Sequence, residues 1–254
     1  MHPFLYRFSD SSCWMVMDSS GMNRKYRVAV TQHEPCWLDI AKTSDKTCAI
    51  IQEAAAAGAK LVVFPECWIP GYPAWIWSRP VDFEVGEEYV ENGLTLDSPY
   101  MRRIQDAAAE HGINVGLGFS ERDGDSVYIA QAIINDKGEL KMARRKMKPT
   151  HMERTIFGDA SGSCLAPVVP LDQEGPKVGS LSCWSVFVLC THSPTGEMLM
   201  LAQGAYPASS QSIHIHPTRA DTHRSVAATR SVRGRLAGPL VYDSGRQVCR
   251  LMQL

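Results

Sequence analysis

No apolar run in this sequence approaches the ~18 residues that a membrane-crossing helix needs. Near the start, Phe4-Leu5-Tyr6 and Trp14-Met15-Val16-Met17 are interrupted by polar residues, so no signal-peptide core is present. The eight cysteines (13, 36, 48, 67, 164, 183, 190 and 249) include no CxxC pair, and the chain is too long for a disulfide-framework miniprotein. Free thiols in a reducing, cytoplasmic setting are therefore expected. Net charge is only −1, which gives no basis for binding nucleic acid or an anionic membrane surface. GxGxxG and P-loop patterns are absent, so no nucleotide cofactor is implied. His214-Ile215-His216 lacks further ligands at metal-binding spacing, so no metal is implied either.

With 254 residues, the chain makes one large domain or two small ones. Residues 1–24 read as an irregular extension, and Met22 is an alternative start to Met1. From Tyr26 the pattern becomes regular. Tyr26–Gln32 alternates like a strand, and Ile40–Ala57 is an amphipathic helix closed by Gly58. Lys60–Phe64 has the unbroken Val/Leu character of a strand buried on both faces. Pro99 opens a helix through His111, ended by Gly112, and Ile113–Phe119 is the next strand. Val127–Ile134 and Glu139–Arg144 flank the turn Asn135-Asp136-Lys137-Gly138 as a hairpin. Val178–Cys183 is a further strand. Strands alternating with helices, plus a hairpin, predict an α/β sandwich.

Three reactive side chains stand at strand ends. Glu66 closes Leu61-Val62-Val63-Phe64-Pro65-Glu66, Lys146 follows Met142-Ala143-Arg144-Arg145, and Cys183 ends Val178-Gly179-Ser180-Leu181-Ser182-Cys183. In open α/β sheets, ligands bind outside the carboxyl ends of strands. Each residue alone also has a plain role: a small buried hydrophobe, a loop acid, or part of a solvated basic strand edge. Together they suit a cysteine-nucleophile hydrolase. A thiol of pKa ~8.5 needs a base to become the attacking thiolate; Glu66 would supply general base and then acid catalysis. Lys146 would stabilise developing negative charge, and Glu153, seven residues further on, would orient that lysine or a water.

Phe64-Pro65-Glu66 with Trp68-Ile69-Pro70-Gly71-Tyr72-Pro73, then Arg144-Arg145-Lys146-Met147-Lys148-Pro149-Thr150-His151-Met152-Glu153-Arg154, then Gly179-Ser180-Leu181-Ser182-Cys183-Trp184 resemble, in order, the nitrilase superfamily. The likeness is to its true nitrilase and cyanide-converting branch and covers about residues 26–184. It implies a four-layer α-β-β-α sandwich, a Glu66–Lys146–Cys183 triad with Glu153 as supporting glutamate, and assembly into homo-oligomeric dimers or spirals. Lys146 rather than Lys148 is the expected lysine, because the superfamily residue follows an arginine at a strand end. The implied reaction is hydrolysis of an organic nitrile to acid and ammonia through a thioimidate and a thioester. Alternatives are cyanide hydratase or nitrile-to-amide activity, and a non-catalytic variant. Trp68, Tyr72, Trp75, Trp77 and Trp184 are candidates for an aromatic substrate pocket, the first four equally for loop packing or a subunit contact.

The hydrolase domain is thus placed at 25–184, followed by a divergent segment, 185–254, of the same domain. That segment has seven arginines, no lysine, and only Glu197, Asp221 and Asp243 as acids. Ser185 stands where the superfamily carries a glutamate, as a deletion or frameshift from residue 185 would produce. The expectation is an incomplete sandwich of low stability, mobile over about 205–235, with too little periodic apolar content in the tail to replace missing strands.

Overall fold

A computed structural model describes residues 14–18, 25–164, 168–171, 177–182, 198–203 and 212–216. Six strands form one sheet in chain order: β1 (Trp14–Asp18), β2 (Lys25–Val30), β3 (Leu61–Val63), β4 (Asn114–Asp123), β5 (Ser126–Ile134) and β6 (Leu140–Arg145). Four more, β7 (Val168–Pro170), β8 (Lys177–Ser182), β9 (Met198–Gln203) and β10 (Ser212–His216), form a second sheet in the order β10-β9-β8-β7. The helices are α1 (Ile40–Ala56), α2 (Phe83–Glu91) and α3 (Pro99–His111).

Helix ends follow local chemistry. Asp39 caps α1 by accepting from the Lys42 amide at 2.8 Å, and Gly58, at φ +79°, turns the chain out of the helix. Ser98 caps α3 ahead of Pro99, and Gly112 ends it in the left-handed region at φ +59°. Helix α2 is absent from the sequence expectation. It carries Gly86 and buries only Tyr89, so it shows little apolar stripe to read.

The period-2 alternation of the first sheet divides the core. Ala29, Val62, Val115, Leu117, Ala130, Ala132 and Ile134 pack with Ile50, Ile51 and Ala54 of α1 and Met101, Ile104 and Ala108 of α3. Their neighbours Val28, Leu61, Val63, Ile133 and Met142 pack instead with Val178 of the second sheet and with Leu171, the residue after β7. Helices, sheet and sheet are therefore stacked as three layers of the α-β-β-α sandwich; an outer helical layer on the second sheet is not among the described residues. Buried Arg144 joins the two sheets, donating to Gln131 Oε1 at 2.6 Å and to the Ser180 carbonyl at 3.2 Å. Among the described residues no helix is long and apolar enough to cross a membrane.

Two expectations about the chain ends need correction. Residues 14–18, inside the stretch expected to be irregular, pair antiparallel with β2 from Trp14↔Ala29 to Asp18↔Lys25. An edge strand needs only backbone pairing on one side, so no full apolar period is required. The tail also supplies strands. Strand β9 pairs in parallel with β8 from Lys177↔Met198 to Ser182↔Gln203, and β10 pairs antiparallel with β9. Met198-Leu199-Met200-Leu201-Ala202 is an unbroken apolar run, the pattern of a strand rather than of an alternating one. His214-Ile215-His216 is strand alternation. The rest of the interval 205–235, like Cys183 and Trp184, lies outside the described residues.

Beyond β3 the chain stays beside β4 but bulges. Phe64 donates to Gly116 O at 2.8 Å, Trp68 to Gly118 O at 3.0 Å, and Ser120 to Ile69 O at 2.8 Å. Between these bonds Pro65, Glu66 and Cys67 arch over Gly118, with Cys67 in the left-handed region at φ +52°. A Cβ at position 118 would lie 2.2 Å from the Pro65 carbonyl oxygen, so only glycine admits this arch. Gly118→Ala should destabilise the fold by about 1–3 kcal/mol, as overpacking against backbone does. Urea unfolding would measure this loss; unchanged stability would show that the arch is not pinned there.

Candidate active site

Strand β6 runs in the same direction as β3, because β3 and β4 are parallel and the β4–β5 and β5–β6 pairings are both antiparallel. The carboxyl ends of β3 and β6 therefore open on one edge of the sheet, where Glu66 and Lys146 meet. Lys146 Nζ lies 3.2 Å from Glu66 Oε1 and 2.7 Å from Glu153 Oε2. The three residues are only 2%, 1% and 3% exposed for Glu66, Lys146 and Glu153, so water screens none of these contacts. Lys148, by contrast, is exposed and pairs with Asp159.

The two carboxylates are not equivalent. Glu153 is saturated: its Oε2 also accepts from the Thr150 amide at 2.6 Å, and its Oε1 accepts from the Tyr72 hydroxyl at 3.3 Å. These bonds come from a short 3₁₀ turn, His151–Thr155, whose first-turn glutamate folds back on the residue before it. Glu66 is under-satisfied. Its Oε1 has the ammonium, while its Oε2 is buried with no hydrogen-bond partner among the described residues. Burial raises the Glu66 pKa from the ordinary 4.5 to about 7; Lys146 opposes the rise and the Glu153 charge adds to it. Ser182, the last residue of β8, brings its hydroxyl near enough to pull that value down somewhat, yet stops short of hydrogen-bond geometry.

Flanking side chains hold Lys146 in place. Arg145 forms a two-pronged pair with Glu121 at 2.8 Å on both arms, reaches Asp123 at 2.8 Å, and covers the Tyr128 ring at 3.9 Å. Arg144 ties the same strand to the second sheet, as described above. The arginines are thus part of packed networks and not a solvated edge.

The aromatic candidates separate. Trp68 borders the site, but its indole is directed into the core, 5.4 Å from the Phe64 ring and donating to Thr47 Oγ1 at 2.7 Å. Trp75 packs edge-on against Trp37 and Tyr89. Trp77 is half exposed, stacks on His151 at 5.3 Å, and donates to the Tyr72 hydroxyl at 3.2 Å. Tyr72 both bonds Glu153 and lines a cavity of about 110 Å³ shared with Thr31, His33, Glu66 and Cys67. Trp68 is among the residues that line this cavity, although its indole hydrogen-bonds into the core, whereas packing against Trp37 and Tyr89 takes Trp75. Sequence reasoning overlooked the Thr31–Pro35 wall of that cavity. The signal was available: it follows the carboxyl end of β2, next to β3. Ser182 was overlooked too, and among the described residues no cluster of three potential metal ligands occurs.

In the described fold Glu66 keeps its proton up to about pH 7, against 4.5 for an ordinary glutamate, and so binds it more tightly folded than unfolded. The stability it contributes is complete below pH 4.5 and is lost as pH rises to about 7. Glu66→Gln leaves a neutral Lys146–Glu153 pair, so it should melt with the wild type at pH 5 and above it at pH 8. Thermal unfolding at the two pH values checks this; a variant less stable at pH 8 would refute it.

A model of the family described as Carbon-nitrogen hydrolase matches residues 27–235, which carries the family pattern past residue 184 into the tail. An arylacetonitrilase from Aspergillus niger is 61% identical over 160 residues, covering 63% of this chain and 47% of that protein. Arylacetonitrilases from Aspergillus kawachii (163 residues) and Hypocrea virens (162 residues) are each 59% identical, covering 64% of this chain and 49% of theirs. The chain spans about half the length of the curated relatives it matches. Among solved structures, a cysteine-to-serine variant of the Nesterenkonia AN1 amidase from the nitrilase superfamily is similar in fold, with TM-score 0.53 and 20% identity over 70% of this chain and 65% of that one.

Proposed function

The chain belongs to the carbon-nitrogen hydrolase family, and from that premise we propose that it is a nitrilase with a Glu66–Lys146–Cys183 triad supported by Glu153. The observation that carries this reading is one buried ammonium shared between two unequal carboxylates. A saturated carboxylate holds the lysine; an under-satisfied one, titrating near neutrality, is matched to general base work. In the first step the Cys183 S–H bond breaks and its proton passes to Glu66. The thiolate adds to the nitrile carbon, one π bond of the triple bond opens, and the nitrogen takes the proton back, which gives a thioimidate. A water then adds, ammonia leaves, and a second water cleaves the thioester to the acid. Lys146 stabilises the charge that builds on the tetrahedral carbon's substituents.

Arylaliphatic nitriles are the substrate class that the names of the relatives favour, and the cavity beside Tyr72 and Glu66 is where such a nitrile would enter. Organic nitriles rank ahead of cyanide for the same reason. Exposed Trp77, Val81 and Phe83 supply apolar surface for a homo-oligomer. The free thiols of Cys36, Cys48, Cys67 and Cys164 suit a cytoplasmic setting.

The test is to incubate the chain with arylacetonitriles, aliphatic nitriles and cyanide while ammonia, amide and acid are followed. Ammonia and acid should appear together, Cys183→Ala should abolish both, and Glu66→Gln should lower kcat/KM by about 10²–10⁴-fold, the usual size of a lost general base. Ammonia release that survives Cys183→Ala would overturn the assignment. Amide as the main product would replace acid formation with hydration.

A further inference from the structure

Two buried polar atoms beside the candidate base have no partner among the described residues: Glu66 Oε2 and Ser182 Oγ. Buried polar groups are nearly always paired, and each orphan costs about 1–3 kcal/mol. The two atoms come from different sheets. Glu66 hangs from the arch after β3, and Ser182 ends β8, one residue before the proposed nucleophile. Neither is free to drift. Gly118 pins the arch, the Arg144 bond to the Ser180 carbonyl fixes the end of β8, and Ser182 lies opposite Gln203 in the parallel pairing with β9. A small rotation of one hydroxyl and one carboxylate would close the gap.

We propose that Ser182 is a positioning residue for the base: its hydroxyl donates to Glu66 Oε2 while the carboxylate is ionised, and yields when that oxygen takes the thiol proton. Resting on the reading of the site given above, this assigns the two carboxylate oxygens different work. The Lys146 ammonium occupies Oε1, so Oε2 is the oxygen that receives the proton. During that transfer the S–H bond breaks, an O–H bond forms on Oε2, and the serine keeps its own proton. A hydroxyl bonded to the ionised form favours that form, so the bond keeps the base usable at lower pH. The other titratable groups facing Glu66 are Lys146 at the end of β6, Glu153 on the 3₁₀ turn, Cys67 and Tyr72 on its own loop, and His33 and Glu34 on the loop after β2. A substitution at position 182 changes none of them.

The experiment follows alkylation of Cys183 by iodoacetamide from pH 5 to 9, peptide by peptide in a mass spectrometer, in the wild type, Ser182→Ala, Ser182→Thr and Glu66→Gln. Melting curves run alongside. At pH 5, where Glu66 holds its proton and the hydroxyl has yielded, Ser182→Ala should melt like the wild type. The rise in alkylation that accompanies Glu66 ionisation should move up by roughly one pH unit in Ser182→Ala, and Ser182→Thr should restore it. The acid limb of kcat/KM should move with it, with KM changed less than about twofold, whereas a purely structural role would lower rates at every pH alike. A rise lost in Glu66→Gln but unmoved by Ser182→Ala overturns this proposal alone. A rise that survives Glu66→Gln overturns the reading of the site and this proposal with it.

Discussion

A single ammonium, buried among two carboxylates where no water reaches, sets the terms for everything around it. Desolvating three charges is costly, and the set persists only if each charge has a partner in good geometry. Lys146 meets both glutamates, but one positive charge cannot fully satisfy two negative ones. The structure resolves this by inequality. Glu153 receives an amide and a phenol besides the ammonium. Glu66 receives little else, and its proton affinity rises until it holds a proton near neutrality. The electrostatic conflict at the site and its basicity are one property.

The surrounding fold keeps that conflict in place. Two arginines on the strand that delivers Lys146 reach in different directions: Arg145 to the acids of the β4–β5 hairpin, Arg144 across to the second sheet. The carboxylate on the other side depends on a bulge that only Gly118 can accept. Tyr89 of α2, fully buried, holds the loop beyond that bulge through its bonds to the Gly71 carbonyl and Ser120. Relief of the conflict, by protonation or by glutamine, makes a more stable and less reactive protein, the usual opposition of stability and activity at a site built from strain.

Strand ends were the most legible feature of the sequence. Unbroken Val/Leu runs located β3, and the rule that function gathers at carboxyl ends brought Glu66 and Lys146 together across eighty residues. Helices α1 and α3 declared themselves through their terminal glycines, and α3 also through Pro99 at its start. What stayed hidden depends on partners distant in sequence. No local pattern shows that Gly118 faces a carbonyl, or that the indole of Trp68 turns toward Thr47 while Tyr72, four residues on, turns toward Glu153. Composition misled at the tail. Arginine dominates its charge, yet a five-residue apolar stretch suffices for β9, and two isoleucines alternating with histidines for β10, because strands that extend an existing sheet need little more than backbone pairing.

The account stands on the protonation state of Glu66. Difference infrared spectroscopy, wild type minus Glu66→Gln, would follow the carboxylic acid C=O band of this one residue through a pH titration. The band should persist to near-neutral pH and vanish with a midpoint of about 7. A midpoint near 4.5, the value of an ordinary glutamate, would mean that the Lys146 ammonium satisfies both carboxylates and that no base is poised beside position 183.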